Sequence, residues 1–257
     1  MKTIFMTTNH FEFGTLTATN TAAGYDVNNI LDRRPFTKWK ANAAGTLYVE
    51  INHGVSTYNS TGIAIFGHNF YSAAATVTIE YYDTELRIWV QAHAFTITKN
   101  GSIAGNWATP DAVITKWRIK MVTASVAPEF AVAILSENTV FPMPPDSPHT
   151  DFTETSIKES GNSKTGNLLG IVNRGYMNTF TLKFSLLTRA WVDAYIRDWW
   201  WTSFGKTGLP FAYIPDYDND DEEVYLVRAA DDYVYQTPKS IATYYDSIQF
   251  DLVGLRY

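Results

Sequence analysis

Apolar and polar residues alternate with a period of two through most of the first half of the chain. "GTLYVEIN" sets Leu47, Val49 and Ile51 on one face, and "TGIAIFGHNF" sets Ile63, Ile65 and Gly67 on one face. "ATVTIEYYD" brings Val77, Ile79 and Tyr81 together, and "RIWVQAHAF" continues after a turn at Asp83–Glu85. "TKWRIKMVTA" alternates Trp117, Ile119 and Met121 against Lys116, Arg118 and Lys120, and "FAVAILSENTVF" closes the series. Period-two alternation predicts half-buried strands, and short strands in succession without helices between them predict a β-sandwich or jelly roll.

The pattern then breaks. Four prolines fall between Pro142 and Pro148 and polar residues dominate to Asn167, which predicts a stiff linker running into a long polar loop. Alternation resumes with Phe180, Leu182 and Phe184, then changes period in "TRAWVDAYIRDWW". Trp191, Tyr195 and Trp199 recur every four residues, with Val192 and Ile196 widening the stripe. Thr188 suits the N-cap and Gly205 the end, so this segment is the clearest helix. "GLPFAYIPDYD", "EVYLVRAAD" and "DSIQFDLVGLRY" supply further strands. The fold class is mainly β: an N-terminal sandwich over 1–141, a Pro-rich linker and polar loop over 142–166, and a smaller antiparallel α+β domain with one main helix over 167–257.

Charge supports that division. Residues 1–145 hold 10 Lys/Arg and 10 Asp/Glu, whereas residues 146–257 hold 10 and 16, so the second half carries the whole net charge of −6. That balance argues against duplex nucleic acid as a partner. The chain has no cysteine, which excludes disulfides and thiolate metal sites. The opening residues form no sustained apolar core of a secretory signal, and no run of about 18 apolar residues marks a membrane span.

Candidate chemistry is sparse. "NNILDRRPFTKWKAN", Asn28–Asn42, gathers Arg33, Arg34, Lys38 and Lys40 around one Pro and one Trp, which reads as a solvated loop or as a recognition surface. The histidines, at 10, 53, 68, 93 and 149, form no HExxH or other close ligand pair. No GxSxG elbow and no phosphate-cradling glycine loop is present, so no enzyme is expected. In "DYDNDDEE", Asp216, Asp218 and Asp220 alternate like the first ligands of a Ca2+ loop. The sixth position is Asp221 rather than Gly and the twelfth is Val227 rather than Glu, so an acidic hairpin tip competes with that reading. Trp199, Trp200 and Trp201 diverge around a helix, which makes Trp200, Trp201 and nearby Phe204 candidates for a subunit interface.

Several of these stretches resemble a known family. "NNILDRRPFTKWKAN" is similar to the "DGxxxTxW" region of discoidin-like, coagulation-factor C-type galactose-binding domains, with Asp32, Thr37 and Trp39 at the matching positions and Arg33 where glycine is common. "GTLYVEINHG" and "KWRIKM" look like strands of that family. "GIAIFGHNF", with His68 and Asn69 at its turn, looks like the variant found in phage structural proteins. The likeness covers roughly residues 20–137 and implies ligand-bearing loops at one end of a jelly roll, with Arg33, Arg34, Lys38, Trp39, His68 and Asn69 as ligand-binding candidates. In the family the Trp often packs into the core, so Trp39 reads as a core anchor or a sugar platform. Residues 167–257 resemble phage tail-tip or minor-tail proteins through the strand at Phe180–Phe184, the helix after it, and Gly208, Pro210, Phe211 and Pro215.

Together the resemblances imply a structural virion component of a phage tail tip, baseplate or fibre attachment. It would contact other tail proteins and be present in several copies of a symmetric assembly. The alternative is a carbohydrate-binding module for host-surface glycans, and a degradative enzyme ranks last.

Overall fold

The computed structural model describes residues 2–146, 153–162, 168–197, 208–230, 240–241, 244–245 and 247–255. Two compact units emerge from its contacts: Met1–Pro142 with Pro210–Tyr225 and Tyr257, and Met143–Leu209 with Leu226–Arg256.

The first unit contains β1 (Ile4–Met6), β2 (Thr15–Ala18), β3 (Trp39–Lys40), β4 (Thr46–Asn52), β5 (Gly62–His68), β6 (Thr76–Asp83), β7 (Ile88–Ala94) and β8 (Gly101–Asn106). It continues with β9 (Ile114–Val122), β10 (Glu129–Phe130), β11 (Val132–Ser136) and β12 (Thr139–Val140). One antiparallel sheet runs β2–β4–β9–β6–β7, a second runs β11–β5–β8, and β10 pairs with β3. Leu47, Val49 and Ile51 of β4, Val77 and Ile79 of β6, and Trp117, Ile119 and Met121 of β9 are buried in one core with Ile63, Ile65 and Leu135 of the facing sheet. The alternation in the sequence is therefore the alternation of core and solvent faces. The turn from β6 to β7 forms at Asp83, whose carboxylate accepts from the backbone of Glu85 and Leu86, both at 2.9 Å.

The smaller sheet is buried on both faces. Ala64, Phe66, Val132 and Ile134 also lie inside, away from the sandwich core. A third layer accounts for them. In it β1 pairs with β12 and, antiparallel, with β15 (Phe211–Ile214). Phe5 of β1 packs against Phe141, Phe211 and Tyr213 at ring separations of 4.7, 5.3 and 5.6 Å.

In the second unit, β13 (Thr153–Asn162) pairs along β14 (Leu168–Ser185), and β14 pairs with β19 (Ser247–Leu255). The far side of β19 takes β16 (Tyr225–Ala229), while β17 (Ser240–Ile241) and β18 (Tyr244–Tyr245) form a short hairpin. Phe180, Leu182 and Phe184 are buried, as their spacing predicts.

Three sequence expectations change. The region 142–166 is not a simple linker and loop: Thr153–Asn162 is a strand, and Asp146 is docked on β14, its amide donating to Lys183 O at 2.7 Å. Pro210–Tyr225 groups with the first unit rather than with 167–257. Those sixteen residues include Asp216, Asp218, Asp220, Asp221, Glu222 and Glu223 and no Lys or Arg, so they hold the whole charge excess. The helix is shorter and winds differently. Thr188 caps it, its hydroxyl accepting from Trp191 N at 3.3 Å, but α1 spans Arg189–Val192 and passes into a π-helical turn at Asp193–Arg197. Val192 and Ile196 are its buried residues, whereas Tyr195 is exposed. The rest of the expected helix, with Trp199, Trp200, Trp201 and Phe204, lies outside the described residues.

Candidate functional site

The Asp32–Lys40 loop is built from the inside. Asp32 accepts from Arg34 N at 2.8 Å and from the Thr37 hydroxyl at 2.6 Å, closing the loop on itself. Arg33 has φ +55°, the left-handed conformation that glycine adopts most cheaply, so the turn persists with a large side chain in place of glycine. Its guanidinium is only 5% exposed: Nη2 lies 2.7 Å from Glu12 Oε1, and Nη1 donates to Pro210 O at 2.6 Å. Arg33 is thus a brace tying the loop to two distant segments of the first unit, not a ligand-facing donor. Trp39 is fully buried, packs on Phe130 at 5.3 Å and donates Nε1 to Thr21 Oγ1 at 3.1 Å. Of its two readings, core anchor is the observed one.

The remaining candidates are mostly committed within the fold. Lys38 and Lys40 both reach the Glu129 carboxylate, at 3.0 and 3.4 Å. Burial pushes that carboxyl up, but the hydrogen bonds and charges of the two lysines outweigh it and hold it below its ordinary range. Asn69 fastens the end of β5 to the β10 segment, accepting from Glu129 N at 2.9 Å and donating to Ala127 O at 3.1 Å. Gly67, at φ +66°, makes the bulge before this turn and lies against Ala131. His68 is buried and stacked on Phe70 at 4.5 Å, and burial lowers its pKa to about 4. Arg34 is exposed, and beside it Phe36 is 82% exposed.

The acidic stretch is a strap rather than a cation loop. Asp221 O accepts from Ala104 N at 2.8 Å and Tyr217 OH accepts from Asn106 N at 2.9 Å, covering the free edge of β8. Glu222 is buried, accepts from Thr98 N at 2.7 Å and hydrogen-bonds the Thr98 hydroxyl, pinning the β7–β8 loop. Asp216 and Asp220 accept from the backbone amides of Lys2 and Glu222. Among the described residues no group of three or more His, Cys, Asp or Glu stands where it could hold a metal ion, so the Ca2+ expectation for Asp216, Asp218 and Asp220 finds no geometric support.

An arrangement that the sequence did not announce lies at the other end of the sandwich. An open cleft of about 600 Å³ is lined by Lys2, Thr61, Asn106, Trp107, Thr109, Glu137 and Asn138, with Ala108 and Val140. Trp107 is held by Nε1–H donation to Ser60 O at 2.8 Å and packs near Trp117 at 5.7 Å. Asn138 lies over Gly62, where any Cβ would collide with its amide. Its carboxamide meets that of Asn106 at 2.8 Å, and its backbone amide donates to Thr61 Oγ1 at 2.8 Å. Asn138 Oδ1 is buried without a partner among the described residues. Behind Ser60, His10 Nδ1 meets the hydroxyl at 2.6 Å, and burial, assisted by the neighbouring His53, lowers the His10 pKa to about 4.

The solvent face of the larger sheet is engaged with itself. Arg118 lies between the Tyr48 and Trp89 rings at 4.4 and 3.9 Å and pairs with Glu80 at 2.5 Å; Lys120 meets the same carboxylate at 3.1 Å. These contacts fasten β4, β9, β6 and β7 in register rather than present free groups.

No family model matches the chain, and no curated protein sequence does. Solved structures do share part of it. Chitosan-binding module 1 of a chitosanase/glucanase from Paenibacillus sp. IK-5 is 15% identical, with 51% of this chain and 98% of that one covered at a TM-score of 0.40. A Streptococcus pneumoniae fucose binding module is 14% identical, with 48% and 91% covered at 0.41. The lectin domain of lectinolysin, solved with Lewis B antigen, is 12% identical, with 51% and 96% covered at 0.42. The likeness is partial and distant, to sugar-binding modules and lectin domains, and it fixes neither ligand nor partner here. No helix among the described residues is long and apolar enough to cross a membrane.

Proposed function

We propose that the first unit is a carbohydrate-recognition module whose site is the Trp107 cleft. One observation carries this reading: an indole, two carboxamides, an ammonium and an exposed carboxylate converge on an open cleft of about 600 Å³. A pyranose presents an apolar C–H face and a rim of hydroxyls. An indole accommodates the first, while the Lys2 ammonium and the exposed Glu137 carboxylate supply donors and acceptors for the second. Binding of neutral oligosaccharides by the full protein, measured calorimetrically, tests it. Trp107→Ala and Glu137→Gln should each weaken binding while Arg34→Ala leaves it unchanged. Absence of binding across a broad glycan panel would refute the reading.

A second reading, a subunit of a phage tail tip, baseplate or fibre attachment, rests on the resemblance of Gly62–Phe70 and of residues 167–257 to phage structural proteins. Antibody labelling of virions separates the two: label on the tail supports this reading, and its absence from intact and disassembled particles opposes it.

A further inference from the structure

Two buried imidazoles stand behind the Trp107 cleft. His10 follows Asn9, which fixes its turn to β11: Asn9 Nδ2 donates to Ala133 O at 2.9 Å, and its Oδ1 accepts from Leu135 N at 3.1 Å and Phe11 N at 3.2 Å. His53 follows β4, and its Nδ1 lies 3.1 Å from Phe13 O. A carbonyl can only accept, so neutral His53 carries its proton on Nδ1 and its lone pair on Nε2. That Nε2 is buried with no partner among the described residues.

Both rings pack on Tyr58, His10 at 5.1 Å and His53 at 4.5 Å, and His10 Nδ1 also meets the Ser60 hydroxyl at 2.6 Å. Residues 58–61 lie outside the strands. Their carbonyls hold two indoles: Tyr58 O accepts from Trp117 Nε1 at 3.0 Å, Ser60 O from Trp107 Nε1 at 2.8 Å, and Thr61 O from Trp107 N at 2.9 Å. The same short segment thus meets the imidazoles through its side chains and the indoles through its backbone.

Charge on this pair is uncompensated. Burial lowers His10 to about 4, with His53 adding repulsion, and burial lowers His53 against the opposing hydrogen bond to Phe13. Tyr58, Ser60 and Phe13 face the pair; Glu12, on the same turn, is turned to Arg33. β11, packed on that turn, carries no titratable residue, and β4 and β9 place Glu50, Lys116 and Arg118 on the opposite, solvent face. A proton on His53 Nε2 would therefore have no acceptor, and charged His10 could only donate to Ser60. Asn9 holds His10 in place, so the displacement falls on residues 58–61.

We propose that neutral His10 and His53 are positioning residues for the Trp107 cleft: they hold residues 58–61 in place, and protonation of the pair displaces that segment and releases the indole. The consequence for a sugar, weaker binding in acid, rests on the reading of the cleft given above; the coupling of imidazoles to indole does not.

Nuclear magnetic resonance of the full chain tests the coupling. The ring signals of both histidines and the indole N–H of Trp107 are followed from neutral pH down to about 4, with circular dichroism verifying the fold of each variant. In the wild type the Trp107 signal should move with the imidazoles towards the position of a water-exposed indole. His10→Asn keeps a partner for Ser60 but takes no charge, and His53→Gln is likewise neutral. Each should reduce the movement, and the double variant should abolish it; should the double variant not fold, the single variants carry the test. A Trp107 signal that stays fixed while the imidazoles titrate would overturn the proposal. So would one that moves alike in wild type and variants, which would assign the effect to another group such as Glu137. Finding no bound glycan at any pH while the coupling holds would instead refute the carbohydrate reading alone.

Discussion

The Asp32–Lys40 loop and the Trp107 cleft invert each other. The loop concentrates cations and an indole within nine residues of sequence, yet folding turns Arg33 and Trp39 inward and pairs Lys38 and Lys40 with Glu129. The cleft draws on residue 2, residue 61, residues 106–109 and residues 137–138, no group of which stands out alone, yet it leaves the Glu137 carboxylate exposed beside the Trp107 indole. Density of chemistry along the chain is therefore a poor guide to chemistry offered to a ligand. What matters is whether the fold already uses the donors.

Four substitutions and one change of pH break or sharpen that contrast. Trp39→Ala should have the largest effect, about 3–5 kcal/mol of stability in chemical denaturation, because a fully buried indole leaves a cavity. A surface sugar platform in its place would show almost no stability loss. Acid should strike both regions, since His68 precedes Asn69, which holds Glu129 under the loop's lysines, and His10 lies behind Ser60, whose carbonyl holds Trp107. Burial lowers both histidines from 6.5 to about 4. Below 6.5 the unfolded chain binds protons that the folded chain does not. Stability present at neutral pH is then lost as pH falls towards 4, by about 3 kcal/mol per histidine in the limit. Denaturation midpoints across that range measure it.

Trp107→Ala should weaken glycan binding by about tenfold to a hundredfold, with Glu137→Gln nearer the lower figure. Because Trp107 also packs near Trp117, the Glu137 variant keeps the test informative should the Trp variant lose stability. Arg34→Ala should do least, within about 0.5 kcal/mol of stability and with no change in binding, as expected of an exposed side chain away from the site. A large loss of binding in this last variant would restore the loop as the recognition surface.

Strands were legible where one face meets water. Leu47, Val49 and Ile51, and Trp117, Ile119 and Met121, write their burial into the sequence as a period of two. The third layer was not legible, because β1 and β15 pair across some two hundred residues and each is too short to show a period. Apolar runs at Ile63–Phe66 and Val132–Leu135 were its only trace: a strand buried on both faces loses its alternation. The acidic segment misled for the same reason. Its charge suggested a separate domain or a cation loop, whereas its role follows from the β8 edge it covers. In the helix, aromatic spacing at Trp191 and Tyr195 outweighed Val192 and Ile196, which are the residues that face inward. The cleft needed tertiary structure, since nothing local links Asn106 to Asn138 before β5, β8 and β11 align.

The central claim is that recognition belongs to the cleft and bracing to the loop. A glycan array probed with the wild type, Trp107→Ala, Glu137→Gln and Arg34→Ala, each verified as folded, tests it most directly. The account predicts a bound glycan whose signal falls for the Trp107 and Glu137 variants and persists for Arg34→Ala. A signal that persists for both cleft variants and falls for Arg34→Ala would contradict it.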